Sequence, residues 1–553
     1  MNARKLLTSA AFAILFVCGS LSLFIAIRIP LNYYDEGLTL LNATRVMQGD
    51  IPYRDFWTLY APGHFYALAA LFRVVGPNVL AARVLDTLCR IALSLLVYRA
   101  GKSMTSRWVA VVPYALVTLW LGAIGFYSYP IFPALAFCLS VLLSLFRYMD
   151  TGRRRWLALA GILAGMAAIV RLDFGAYAIL GTAIGVLVFH IGQAGADDTR
   201  VGQRIGAAAK AGLLFAAGVA IVAVPVYGYL ILKSGFGEVW SDLILFPATT
   251  FRAVRALPKP ALIPDGTRFH SEPYEDWVRF YLPLAIYGAS ALVTIGSLIR
   301  SRHQGASRPA TRAAQLMATA GMGAGLFLQA TGRYEALHVL PSSILAALAA
   351  SALLYRIPVR RQRRGWMRPS ILAIPVVAVA CLALARPYVL HFTELMKSAA
   401  NYQPLGCLSS AAGFASSPQR AGCIPVGADQ TLAVEFIRAR TRPDEAIFVG
   451  NPRHDRIVVN DLAFYFLADR RCPTRYCELH PGVATTLPVQ REIVQDLVSK
   501  NVKWVVIAKV WDPSEPNASS ISSRVTVLDK FIQANYAPLV EFGGYQIWRQ
   551  LER

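Results

Sequence analysis

The stretch that decides the fold is LNYYDEGLTLLNATRVMQGDIPYRDFWTLYAPG, Leu31–Gly63, directly after an apolar run from Leu6 to Ile27. A run of that length crosses a bilayer as a helix, which takes about 20 apolar residues. The chain turns acidic immediately beyond it: Asp35, Glu36, Asp50 and Asp55 stand where it leaves the membrane. Arg4 and Lys5 precede the run, and no clean small-x-small cleavage site ends it. It therefore reads as a retained first helix rather than a cleaved signal.

Beyond this stretch the apolar pattern repeats. Candidate spans lie at 6–28, 79–98, 108–125, 129–148, 157–171, 174–191, 211–232, 279–299, 313–330, 338–355 and 370–390. The chain is thus expected to be a multi-pass α-helical membrane protein with about 11 transmembrane helices. Its 56% hydrophobic and 16% charged residues agree, because a soluble chain carries far more charge. Tyr60 to Val75 is apolar but short, and reads as a juxtamembrane helix at the interface.

The formal charge of +23 does not indicate a nucleic-acid partner. Residues from 391 onward hold 18 Lys/Arg and 16 Asp/Glu, so nearly all the excess lies in the apolar part, in short loops. With the N-terminus placed in the cytoplasm, Arg99, Lys102, Arg107, Arg153 to Arg155, Arg200, Arg204, Lys210, Arg300, Arg302, Arg308, Arg312 and the Arg356–Arg368 cluster all fall inside. Asp35, Glu36, Asp50, Asp55, Asp173, Glu238, Asp242 and Glu335 fall outside. That separation is what the positive-inside rule demands, and shifting the count by one helix destroys it.

The division expected is a transmembrane catalytic domain, 1–390, and an extracytoplasmic α/β domain, 391–553. Two outer segments interrupt the first: 31–78, and 233–277, which is rich in proline and aromatics and is expected to be a lid-like loop with little regular structure. In the tail, AIFVG, VKWVVIAKV and YQIWRQ read as strands, and LAVEFIRAR and VQREIVQDLV as amphipathic helices. Its four cysteines pair most simply as Cys407–Cys423 and Cys472–Cys477, although four cysteines allow three pairings. No Cys-x-x-Cys is present to favour zinc.

Asp35 and Glu36 point about 100° apart on a helix, so they are not a proton-sharing dyad; one can face a cavity while the other pairs. Acids also favour helix N-termini for purely structural reasons. Arg83 and Asp86, Arg171 and Asp173, and Arg333, Glu335 and His338 sit near the outer ends of spans, where ionisable side chains are cheap because they snorkel. Their gathering on one face is the informative part.

The strings YYDEGLTLLNATRVMQGDIPYRDFWTLYAPGHFY, FRVVGPNVLAARVLD, RLDFG and GRYEALHVLP resemble the GT-C glycosyltransferases that use polyprenyl-phosphate sugars, among them protein O-mannosyltransferases and lipid A aminoarabinose transferases. The resemblance covers about residues 1–390. It implies an inverting transfer at the outer face of the cytoplasmic membrane, with Asp35 as the general base that deprotonates an acceptor hydroxyl. Arg171, Arg333 and His338, with Arg83 behind them, are then candidates to hold the departing lipid phosphate, a task suited to the forked guanidinium. Glu36, Asp55, His64, Asp173 and Glu335 complete the expected substrate-binding set. No cofactor is required beyond the lipid-linked donor; a divalent metal is compatible, but no compact ligand set is visible. The expected partners are the donor, a glycan, lipid or protein acceptor, and membrane lipids. A transporter or flippase of lipid-linked glycans competes with this reading, as does a ligase. A transporter is expected to carry charges near mid-bilayer and two-sided access, and here the charges are one-sided.

Overall fold

The computed structural model describes residues 3–25, 27–125, 127–193, 199–263, 272–304, 307–356, 418–509 and 514–552. Its first part is helical: α1 (Ala3–Ser22), α2 (Asp35–Met47), α3 (Gly63–Val75), α4 (Val79–Met104), α5 (Val111–Ala123), α6 (Ile131–Thr151), α7 (Arg154–Val170), α8 (Leu172–Gly192) and α9 (Thr199–Ser234). Three short helices come next, α10 (Phe236–Trp240), α11 (Phe246–Ala248) and α12 (Thr250–Arg255), with a π-helical turn at Ser241–Leu245. Then come α13 (Glu272–Gln304), α14 (Ser307–Gly332) and α15 (Ala336–Tyr355).

Each expected span up to 338–355 overlaps a helix, although α1 stops at Ser22 short of the expected 28; the last, 370–390, lies outside the described residues. Five described helices are long and apolar enough to cross a membrane: Ile131–Thr151, Leu172–Gly192, Gly202–Ser234, Pro273–Arg300 and Ala336–Tyr355. α9 and α13 turn large apolar side chains outward, among them Leu213, Ile221, Val224, Leu232, Leu292 and Ile295. An apolar surface of that kind suits lipid rather than water.

Sequence chemistry sets the helix ends and contacts. Asn78 caps α4, its Oδ1 accepting from Leu80 N at 2.7 Å and Ala81 N at 3.3 Å. α6 stops at Gly152, whose φ of +67° favours glycine. α8 lies hard against α14 because a Cβ on Gly181 would stand 2.6 Å from Met322 Cβ, and one on Gly185 2.6 Å from Ala318 Cβ. Within α4, Arg90 Nε donates to Asp86 Oδ2 at 2.7 Å and its Nη1 to the Leu121 and Ile124 carbonyls, which satisfies the charge inside the bundle.

The segment 233–277 departs from expectation. It carries α10 to α12 and the π turn where little regular structure was expected. Pro247 was the misleading residue. It occupies the first turn of α11, where the missing N–H breaks no helical bond.

The described part of the tail contains α16 (Ala428–Arg440), β1 (Phe448–Gly450), α17 (Ala463–Ala468), α18 (Leu487–Ser499), β2 (Trp504–Ala508), α19 (Val527–Asn535), β3 (Tyr536–Phe542) and β4 (Tyr545–Gln550). The sheet order is β1-β2-β4-β3; β1 and β2 are parallel (Val449 opposite Val506), and the other pairs are antiparallel. The tail does not fold apart from the outer loop. Leu38, Leu40 and Leu41 of α2 share one buried core with Ala463, Phe464 and Leu467 of α17 and with Val506 and Ile547 of the sheet. A Cβ on Gly37 would stand 2.4 Å from Ala463 N, so the two backbones touch, and Leu462 N and Ala463 N both donate to Tyr33 O. Cys472 and Cys477 are joined, with Cα atoms 6.0 Å apart. Cys407, the expected partner of Cys423, lies outside the described residues.

Candidate active site

α2 begins at the residue that matters. Asn32 Oδ1 accepts from Tyr34 N at 3.0 Å and Asp35 N at 2.8 Å, which turns the chain out of its extended approach and into the helix. This leaves Asp35 half-buried at the start of α2. Burial, reinforced by the Glu335 carboxylate, raises the Asp35 carboxyl to about 7, against the pull of Arg255 and Arg333. A carboxyl of that kind changes charge near neutrality, which suits a general base. Tyr60 and Tyr129, whose hydroxyls are 3.0 Å apart, lie within the field of Asp35.

Facing it is an arginine–carboxylate network that joins the membrane part to the tail. Arg333 Nη1 and Nη2 donate to Glu515 at 2.9 and 2.8 Å, its Nε donates to Glu335 at 3.0 Å, and Nη1 also reaches the Arg255 carbonyl at 3.0 Å. Arg255 Nη1 lies 3.2 Å from Glu515 and donates to Val458 O at 3.2 Å. His338 Nδ1 is 3.0 Å from Glu335. Burial would raise Glu335, but His338 and Arg333 hold it down at about 2.

The expected residues divide. Asp35, Arg333, Glu335 and His338 come together. Arg171 and Asp173 form a forked pair (3.1 and 2.8 Å) between α7 and α8, and Arg171 lies close enough to act on Tyr129.

Glu36 and Arg83 do not join the substrate set: their side chains are each 1% exposed, and Arg83 Nε and Nη2 donate to Glu36 at 2.8 and 2.7 Å. Arg83 Nη1 is used by the Ile27 and Ile29 carbonyls, both at 2.7 Å. The pair thus fastens α2 and α4 to the segment that follows α1, where Nη2 also reaches the Pro30 carbonyl at 3.3 Å, and no donor is left for a phosphate.

Asp55 closes a local turn, accepting from Ile51 N at 2.7 Å and from Arg54. His64 is buried, with Nε2 2.8 Å from the Ser128 carbonyl. Neither is brought to Asp35 by any contact.

Sequence reading passed over Arg255, Glu478 and Glu515. Arg255 stands in a segment taken for a loose loop. Glu478 comes directly after a disulfide cysteine, and Glu515 opens the string EPNASS. The only signal for the last two was an acid beside a Pro- or Cys-rich turn, which is weak.

Residues 60–195 match the family described as dolichyl-phosphate-mannose-protein mannosyltransferase. Sequence comparison with curated proteins finds no match. Among solved structures, the chain is similar to ArnT from Cupriavidus metallidurans bound to undecaprenyl phosphate, at 13% identity and a TM-score of 0.56, over 98% of each chain. It is also similar to the Archaeoglobus fulgidus oligosaccharyltransferase tethered to an acceptor peptide, at 12% identity and a TM-score of 0.50, over 95% of this chain and 72% of that one. Residues 60–195 thus match the model of a mannosyltransferase family, and over nearly its whole length the chain shares the fold of these solved membrane transferases.

Proposed function

We propose that this chain, a glycosyltransferase of GT-C type, moves a sugar from a polyprenyl-phosphate carrier to an acceptor hydroxyl, with inversion, at the outer face of the cytoplasmic membrane. Its N-terminus lies in the cytoplasm and its tail outside. The observation that carries the reading is the half-buried Asp35, raised to about 7 and set opposite Arg255 and Arg333 at the start of the first outer helix. The similar ArnT structure holds undecaprenyl phosphate, which supports a lipid phosphate as the donor's head.

In this mechanism the Asp35 carboxylate takes the acceptor's proton as the oxygen attacks the anomeric carbon. The bond from that carbon to the phosphate oxygen breaks on the opposite face, and the lipid phosphate departs as an anion. It needs positive charge more than a proton, and Arg255 and Arg333 supply it, with Arg171 and His338 as further candidates. The reading requires no metal. The acceptor is a glycan, a lipid or a protein.

The test is sugar transfer by purified full-length protein presented with a panel of polyprenyl-phosphate sugars, wild type against Asp35→Asn. Transfer by the wild type and none by the variant supports the reading; equal transfer overturns it. Mass spectrometry of envelope glycans from a deletion strain then names sugar and acceptor.

A further inference from the structure

Glu478 differs from every other acid near Asp35. Glu36 is held by Arg83, Glu335 by Arg333, and Glu515 by Arg333 and Arg255. Glu478 is 3% exposed, and among the described residues no ion pair reaches it. Its Oε1 accepts from the Tyr34 hydroxyl at 2.7 Å. Its Oε2 is buried with no hydrogen-bond partner. A buried carboxylate with an empty oxygen is costly, and such a group calls for an explanation.

The surroundings suggest one. Tyr34 immediately precedes Asp35, so the hydroxyl that holds Glu478 belongs to the turn that aims the base. Glu478 itself is fixed from behind. The Cys472–Cys477 bridge ends one residue before it, Asn460 Nδ2 donates to Cys477 O at 2.9 Å, and Leu479 N donates to Asn460 Oδ1 at 3.2 Å. The tail thus delivers a fixed carboxyl, with no ion pair among the described residues, to the start of α2.

We propose that Glu478 is a positioning residue that keeps a proton on the tail side of Tyr34, so that the one negative charge of the Asp35–Glu478 pair resides on Asp35. This rests on Asp35 being the base. The groups facing Asp35 are Glu335, Arg255 and Arg333, with Tyr34, Tyr60, Tyr129 and Glu478 within its field; those facing Glu478 are Tyr34, Asp35 and Arg255. Burial pushes the Glu478 carboxyl up to about 8; the Tyr34 bond and Arg255 oppose the rise and Asp35 adds to it. Asp35, half-buried and set opposite two arginines, therefore gives up its proton before the sealed and unpaired Glu478. During transfer the acceptor's proton passes to Asp35, and the Glu478 proton stays in place. Above its own midpoint Glu478 becomes a second anion beside Asp35 and works against the departing phosphate.

The experiment is infrared pH-difference spectroscopy on full-length protein in detergent, which needs no substrate, together with the pH profile of transfer. In the wild type the protonated-carboxyl bands that Asp35→Asn and Glu478→Gln each remove titrate around neutrality, and activity rises through the lower of their midpoints and falls through the upper. Glu478→Gln loses the upper band and the falling limb and keeps the lower midpoint. Tyr34→Phe, which removes a donor to the ionised form, moves the upper midpoint higher. The proposal is overturned if no band belongs to Glu478. It is equally overturned if Glu478→Gln drops the lower midpoint by a unit or more, since the charge then sat on Glu478, or if Tyr34→Phe leaves the upper midpoint unmoved. Undiminished transfer by Asp35→Asn sinks the base assignment instead; an inactive Asp35→Asn beside an unchanged Glu478→Gln spectrum sinks only the role of Glu478.

Discussion

Asp35 and Glu36 are neighbours at the start of one helix, and the fold uses them in opposite ways. Glu36 is sealed: two guanidinium nitrogens of Arg83 close on it, and the rest of that guanidinium is taken up by backbone carbonyls. Asp35 is open: half-buried, it has arginines across from it that are tied to other acids rather than to it. The first arrangement is saturated and fixes geometry. The second keeps a carboxylate short of partners, which holds its proton affinity near neutrality. A turn of about 100° on a helix separates frame from chemistry.

The contrast can be broken at four places. The largest effect is expected at Asp35→Asn, which removes the base without changing shape: turnover falls by roughly 10²–10⁴, while the melting profile in detergent stays that of the wild type. Arg83→Ala attacks the other member of the comparison. It strands Glu36 in the interior, a loss of about 3–5 kcal/mol, read as a lower midpoint in thermal unfolding; a variant as stable as the wild type would deny the pair its framing role. Arg255→Ala removes a charged donor from the open side. At about 1.5–3 kcal/mol for such a bond, donor binding weakens roughly ten- to hundredfold, and a direct binding titration with a lipid phosphate measures it. The smallest effect needs no mutation. Asp35 is raised to about 7, and the ionised form is the base, so activity climbs as pH rises through that value. Between pH 6 and 8 the ionised fraction grows about tenfold, and a profile flat over that range removes Asp35 as the titrating group.

Hydropathy made the helices legible, because a bilayer imposes length and composition on every span. The fates of Asp35 and Glu36 were only half legible: their divergence follows from helix geometry, but which one faces Arg83 depends on how α2 meets α4. Arg255, Glu478 and Glu515 were not legible at all. Arg255 and Glu478 act on Asp35, and Glu515 on the arginines facing it, from more than 200 residues away in the chain, and no local period marks such meetings. β3 was missed because Pro538 interrupts the string YAPLVEF; the sheet tolerates it beside the register shift between Pro538 and Val540. The tail was read as a separate unit because its composition changes at the last span. Its core nevertheless runs on into α2, as Leu40 and Leu41 show.

The bare α-carbon of Gly37 against the backbone of Ala463 has a consequence for the order of biosynthesis. Asp35 and Gly37 are made long before Ala463, so α2 gains this backbone contact only after that later segment has been added. A chain that stops short of Ala463 leaves the glycine face of α2 uncovered.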